Sequence, residues 1–247
     1  MQQHSMENKK AIVVTAVLIF SMISSFVKMD FPPENNRPKV KIMSPENNSA
    51  FARNTMASYS IEVSDKEDGE SKYQEIPSSE VFLEIRYVSD ASKLPDLRKK
   101  ALQKDPPGFP EIKRSDCFNC HAVKAKLIGP SFNDIGKRYE QNASNISKLA
   151  DRIKKGSSGI WGDITMPPHP DISDADAKNI AGWILKYAVD PNVDYLRGTE
   201  GSFWFRPSAK TTEGVYMLTA SYNDHGVDGE KGSSLKGQDI IIIKEKK

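Results

Sequence analysis

The chain has 247 residues, with 35 basic and 33 acidic side chains and a formal net charge of +2. This near-balance excludes the strongly basic surface of a dedicated nucleic-acid-binding protein. Two cysteines and four histidines are too few for a disulfide-stabilised scaffold, and they make a zinc site with four Cys or His ligands hard to assemble.

The chain begins with a segment that is typical of export. Lys9 and Lys10 precede an apolar run at residues 11–27, as in a signal peptide or an N-terminal membrane anchor. Residues 1–30 are therefore predicted to be this signal or anchor helix, with membrane anchorage through residues 11–27. In both cases the two lysines place the rest of the chain outside the cytoplasm, in the periplasm or secreted.

Stretches with strand-like patterns flank a helical middle section. One set of predicted strands, within residues 31–90, covers residues 40–43, 56–63 and 80–88. The other set, within residues 193–247, covers residues 193–197, 202–206, 214–222 and 239–244. Neither set can bury a core alone, whereas about seven strands together match one immunoglobulin-like β-sandwich. We therefore expect a single β-domain that the helices interrupt, and two separate small β-modules are the alternative.

Residues 91–190 lie between the two sets of strands. Residues 91–110 are polar and contain the break Pro106-Pro107-Gly108, so they are predicted to be a linker. Apolar residues at helical spacing then predict an all-α domain over residues 111–190. Its helices lie around residues 132–139, 146–153 and 177–188, with Gly156 ending the second and Ser173 beginning the third. The fold class is thus a multidomain α + β protein.

The motif Cys117-Phe-Asn-Cys120-His121 carries the functional prediction, because its spacing is the attachment site of c-type haem. Two thiols one helical turn apart can add to the two vinyl groups of a porphyrin, and the adjacent imidazole reaches the iron. A thioredoxin-like redox pair would follow a strand in a βαβ unit, and a zinc site would need two more ligands from scattered histidines. Both cysteines of the chain lie in this motif, behind an export segment, which favours haem.

A second axial ligand is expected later in the helical section. Met166 is followed by Pro167 and Pro168, which limit backbone freedom and so reduce the entropy lost when sulfur is held against iron. His169 is the alternative ligand, and a gap-filling role for Met166 is the other interpretation. Met217 lies in a predicted strand and is interpreted as a packing residue. His/Met ligation would raise the reduction potential and leave no open position on the iron.

Six landmarks follow one another in the helical section. They are Cys117-Phe-Asn-Cys120-His121, Gly129-Pro130, Gly159-Ile-Trp-Gly162, Met166-Pro167-Pro168, Ser173-Asp-Ala-Asp176 and Ala181-Gly-Trp183. With them, residues 111–189 resemble a small bacterial class I (mono-haem) cytochrome c, over about a third of the chain.

This resemblance implies one covalent haem c, with thioether bonds from Cys117 and Cys120 and axial ligands His121 and Met166. It also implies that the Pro130 carbonyl accepts a hydrogen bond from the ring of His121, which would fix the orientation of the imidazole. Trp161 resembles the residue that lies beside the haem and donates its indole N–H to a propionate. Plain core packing is the alternative for this tryptophan.

The predicted function is therefore one-electron transfer between extracytoplasmic redox partners, a dehydrogenase as donor and an oxidase or another acceptor, and not enzymatic catalysis. One alternative is a haem peroxidase or gas-binding sensor cytochrome in which Met166 is displaceable. Another is an extracellular adhesion or binding protein in which the haem section is accessory. Lys124 and Lys126 are candidates for steering an acidic partner, with an ordinary solvated surface as the alternative.

Overall fold

Two groups of β-strands flank a run of helices along the chain. The computed structural model describes residues 34–103, 105–208, 214–227 and 233–246, and within these ranges it contains nine strands and six α-helices. The first strands are β1 (Lys39–Ser44), β2 (Ala50–Phe51), β3 (Met56–Asp65), β4 (Gly69–Glu70) and β5 (Phe82–Val88). The helices are α1 (Leu94–Ala101), α2 (Phe109–Arg114), α3 (Cys117–Cys120), α4 (Phe132–Arg138), α5 (Ala143–Lys155) and α6 (Asp174–Lys186). The last strands are β6 (Val193–Arg197), β7 (Glu200–Trp204), β8 (Val215–Asn223) and β9 (Lys236–Glu245).

The predicted signal peptide or anchor lies outside the described residues. It covers residues 1–30, with the apolar run at residues 11–27. Among the residues that the structure does describe, no helix has the length and apolar character needed to cross a membrane.

The strands form two sheets, and each sheet contains strands from both groups. In one sheet, β3 pairs with β1, β4 and β7, and in the other the order is β2-β9-β8-β5-β6. β6 and β7, which follow the helices, are therefore hydrogen-bonded to β5 and β3, which precede them. Side chains of both sheets share one hydrophobic core, including Tyr59 and Ile61 of β3, Leu83 of β5 and Leu218 of β8. Buried and more exposed side chains alternate along β3 from Tyr59 onward, so every second side chain points into the interior.

All seven predicted strands are present, with ends that differ by a few residues. β7 covers Glu200–Trp204 where residues 202–206 were expected, and β9 begins at Lys236 where residue 239 was expected. Two-residue strands such as β2 carry too little pattern to be predicted. Met217 is a packing residue, as predicted, since it is buried in a cluster on the outer face of β8 and β9.

Residues 91–110, expected to be a linker, contain α1 and the start of α2. Their prolines do not break these helices because Pro95 and Pro110 occupy first-turn positions, where no backbone N–H is needed. The apolar side of α1, with Leu94 and Leu97, covers the outer face of β8 and β9. The segment is polar overall and its apolar residues form only a narrow stripe, so the sequence did not predict α1.

The helical section has its own core, and two strands contribute to it. The three predicted helices are observed as α4, α5 and α6, and the Ser173 hydroxyl caps α6 by accepting a hydrogen bond from the Asp176 N–H at 3.1 Å. Phe82 of β5 and Tyr195 of β6 belong to the helical core. The rings of Tyr195 and Phe109 lie 4.5 Å apart, centre to centre. The strands thus complete the helical core from one side.

A buried charge cluster also connects the helices to the strands. The Asp105 carboxylate accepts hydrogen bonds from Lys113 Nζ of α2 and Lys236 Nζ of β9, both at 2.6 Å. Burial alone would raise the pKa of Asp105, but these two lysines outweigh burial and hold that pKa below its usual value. The side chain of Lys113 is only 7% exposed, so its charge depends on this carboxylate.

We expect Asp105→Asn to lower the free energy of unfolding by about 3–5 kcal/mol, because it leaves the buried Lys113 without a counter-charge. The depressed pKa of Asp105 means that its contribution is present above the pKa of an unfolded aspartate. This contribution is lost as the pH falls through the lower pKa of the folded state. Urea unfolding across the acidic range measures both effects. Asp96→Asn on the exposed side of α1 is the control, with an expected change within about 0.5 kcal/mol; equal effects of the two variants would contradict the cluster's role.

Candidate functional site

The two cysteines lie on a single helical turn. The Asn119 N–H donates to the Asp116 carbonyl at 2.8 Å, and the His121 N–H donates to the Cys117 carbonyl at 2.9 Å, which closes the turn. Both thiols are free and partly buried. Burial raises the pKa of the Cys117 thiol. The motif thus presents two thiols and one imidazole from a compact piece of backbone.

The imidazole of His121 is held in one tautomer. Its Nδ1 lies 2.7 Å from the Pro130 carbonyl oxygen, which can only accept, so Nδ1 carries the proton and donates. Burial lowers the pKa of His121, which favours the neutral ring. The ring of Phe132 stacks on it with the two ring centres 5.2 Å apart. Nε2 is therefore left with a free lone pair, as a metal ligand requires.

Gly129 makes the close approach of this loop to the ring possible. Its N–H donates to the Cys120 carbonyl at 2.9 Å, which places its Cα directly against the imidazole. A Cβ atom at this position would lie 2.5 Å from Cε1 of His121. Gly129 was predicted only as part of a family landmark, because its steric requirement for glycine depends on a contact that the sequence does not show.

Met166 lies in a loop that is fixed at the end of α5. Its N–H donates to the Ser157 carbonyl at 2.8 Å, and its carbonyl accepts from the Ser157 N–H at 3.0 Å. Gly156 has a φ of +79°, and a Cβ there would lie 2.8 Å from the Met166 oxygen. The alternative ligand His169 lies nearby, but its Nδ1 is 3.3 Å from the Asp116 carboxylate. That contact engages one of the two ring nitrogens of His169.

All six predicted site residues line one cleft. Cys117, Cys120, His121, Pro130, Trp161 and Met166 contribute to its walls, with His169 and mainly apolar neighbours. The cleft contains about 1140 Å³ of space, including the part that is open to solvent. Two thiols, an imidazole nitrogen and a thioether in an apolar setting are the donor set that a covalently attached haem requires. The residues of the cleft therefore fit this group.

Trp161 lies at the mouth of the cleft and is not a core residue. It is 36% exposed, and the guanidinium of Arg138 lies 4.6 Å from the centre of its ring. Arg138 also donates to the Ile160 carbonyl at 2.9 Å. This pairing orients the indole at the rim.

Lys124, a candidate for steering a partner, also has a structural contact. Its Nζ donates to the Ala188 carbonyl at 3.1 Å and to the Asp190 carbonyl at 2.5 Å, which satisfies carbonyls just beyond the end of α6. Lys126 is exposed. A steering role for these two lysines stays a prediction. The cap made by Lys124 has no local sequence signal, because its partners lie more than 60 residues away along the chain.

Known proteins are similar to the helical section. Residues 111–188 match the family model for cytochrome c. Cytochrome c-552 of Nitrosomonas europaea is 48% identical over 73 residues, which are 30% of this chain and 71% of that protein. Cytochrome c-551 of Pseudomonas aeruginosa is 41% identical over 78 residues, which are 31% of this chain and 74% of that protein. The crystal structure of wild-type Nitrosomonas europaea cytochrome c552 matches with 45% identity over 31% of this chain and 95% of that chain, at a TM-score of 0.30.

We expect Gly129→Ala to displace the His121 ring and to lower the free energy of unfolding by about 1–3 kcal/mol, because the added methyl group overlaps the imidazole. Nitrogen NMR signals of the His121 ring would report the loss of its bond to Pro130, and urea unfolding would give the stability. Gly182→Ala in α6 is the matched control. A Cβ there meets nothing within 4 Å, so alanine should be neutral or stabilising in this helix. Identical ring signals in the wild type and Gly129→Ala would contradict the steric argument.

Proposed function

The chain belongs to the cytochrome c family, and from this membership we propose that it carries single electrons between redox proteins outside the cytoplasm. As a c-type cytochrome it binds one covalent haem c. The haem supplies one-electron redox chemistry when bound. We also propose which residues hold the haem, which partners exchange electrons with it, and where the protein is located.

One observation carries the assignment of the residues: Cys117, Cys120, His121 and Met166 all line the same cleft. Cys117 and Cys120 would hold the haem covalently, and His121 and Met166 would ligate its iron. The hydrogen bond to Pro130 keeps Nε2 of His121 unprotonated, and the bridge between Met166 and Ser157 holds the second ligand without a large loss of entropy.

Two protein ligands on the iron favour electron transfer over enzymatic catalysis. With His121 and Met166 both as ligands, the haem would supply one-electron transfer and would have no site for peroxide or a gas. The apolar wall of the cleft lowers the local dielectric constant and excludes water. Exposed apolar residues, Ile128 and Ile164, lie with Trp161 around its mouth. A partner can approach the haem edge there by a small and transient contact.

The proposed partners are a dehydrogenase that donates electrons and an oxidase or another protein that accepts them. The location outside the cytoplasm is supported by the apolar run at residues 11–27 behind Lys9 and Lys10. We propose that the strands of residues 31–90 and 193–247 form one immunoglobulin-like domain that holds the cytochrome section (residues 111–190). The pairing of β3 with β7 and of β5 with β6 supports this division.

Replacing both Cys117 and Cys120 by serine is expected to abolish covalent haem, because a hydroxyl does not form the thioether bond. The variant and the wild type would be matured in a periplasm that contains haem-ligation machinery and then extracted with acid acetone. Colour should stay with the wild-type polypeptide and leave the variant. Haem that resists extraction in the double variant would contradict the attachment site.

Met166→Ala is expected to lower the midpoint potential and to allow carbon monoxide to bind the reduced protein, because it removes one axial ligand. Potentiometry and the visible spectrum with and without carbon monoxide measure both changes. Met56→Ala is the matched control, since Met56 is 59% exposed on β3. An unchanged potential in Met166→Ala would transfer the assignment to His169.

A further inference from the structure

The strands contact the haem-attachment motif itself. Its two middle residues, Phe118 and Asn119, both contact residues that lie outside the helical section. The ring of Phe118 lies 5.3 Å from the ring of Phe82 in β5, centre to centre. The Asn119 Oδ1 accepts a hydrogen bond from Arg197 Nη1 at 2.6 Å. The matched family region ends at residue 188, so Arg197 is a feature of this chain beyond that region.

The guanidinium of Arg197 is held from two sides. Its Nε donates to the Ser79 carbonyl at 2.5 Å, in addition to the bond that Nη1 makes with Asn119. The backbone next to it is fixed as well, since the Gly198 N–H donates to the Val81 carbonyl at 2.8 Å. A side chain with these contacts has little freedom to move its charge away from the motif.

The two hydrogen-bond acceptors of the Arg197 side chain, the Ser79 carbonyl and the Asn119 amide oxygen, are both uncharged. Within the described part of the chain, no carboxylate forms an ion pair with Arg197. Glu200 lines the same groove as Arg197 and His121, but it lies beyond ion-pair distance. A fixed positive charge thus lies on the same side of the site as the imidazole.

We propose that Arg197 raises the reduction potential of the haem, because its contact with Asn119 holds a positive charge at the attachment turn. This inference rests on the proposed function. Oxidation adds one positive charge to the haem centre, so a nearby cation favours the reduced form. The contact with Asn119 keeps this cation close to the attachment turn, and Phe82 supports the turn beside it.

Midpoint potentials of the mature full-length protein test the proposal at low ionic strength, where surface charges are least screened. Arg197→Gln should shift the redox equilibrium toward the oxidised form by up to about tenfold, which is about 59 mV for one electron. Arg197→Lys should keep most of the wild-type potential because it keeps the charge. Arg98→Gln on α1 is the control, since it removes the same charge from an exposed position and should leave the potential unchanged.

Two outcomes would overturn the proposal. One is an Arg197→Gln potential equal to that of Arg98→Gln, and the other is an Arg197→Lys potential as low as that of Arg197→Gln. Should Arg197→Gln not fold, Arg197→Met decides, since it removes the charge but keeps a long unbranched side chain and adds no new charge to the attachment turn. A lowered potential would support the proposal, and an unchanged one would overturn it. Absence of covalent haem in the wild type would instead contradict the proposed function, so the two failures are distinguishable.

Discussion

The chemistry of the site depends on which ring nitrogen of His121 carries the proton. The Pro130 carbonyl decides this, because it can only accept a hydrogen bond from Nδ1. The approach of that carbonyl depends in turn on Gly129, whose missing side chain lets the backbone lie against the ring. Burial acts in the same direction by keeping the imidazole neutral. One backbone oxygen and one absent methyl group thus prepare Nε2 for a metal.

The junction between strands and helices is part of the same arrangement. Phe82 and Tyr195 come from strands but lie in the helical core, and Asp105 is paired with a lysine from each side. Contacts of this kind leave the helical section little freedom to rotate against the sheets. The attachment turn therefore has a fixed environment on the side of Phe118 and Asn119, while the mouth of the cleft near Trp161 stays accessible.

The sequence predicted most strands and helices, but it predicted the contacts between distant segments poorly. Spacing alone identified the attachment motif, and period-two and period-3.6 patterns located seven strands and three helices. The cap provided by Lys124 and the hydrogen bond from Arg197 to Asn119 have no local signature, because their partners are 64 and 78 residues away. Residues 91–110 were predicted to be a linker because they are polar, and the predicted break at Pro106-Pro107-Gly108 does lie between α1 and α2. The two helices were missed although each has a proline, Pro95 or Pro110, in its first turn, where proline can begin a helix.

The pairing of the two sheets sets an order of events as the chain is synthesised. β5 lies between β6 and β8, and both of these neighbours come after the attachment motif along the chain. The motif is therefore synthesised before the sheet that later flanks it can be completed. During this interval the attachment turn lacks the hydrogen bond that Arg197 makes with Asn119.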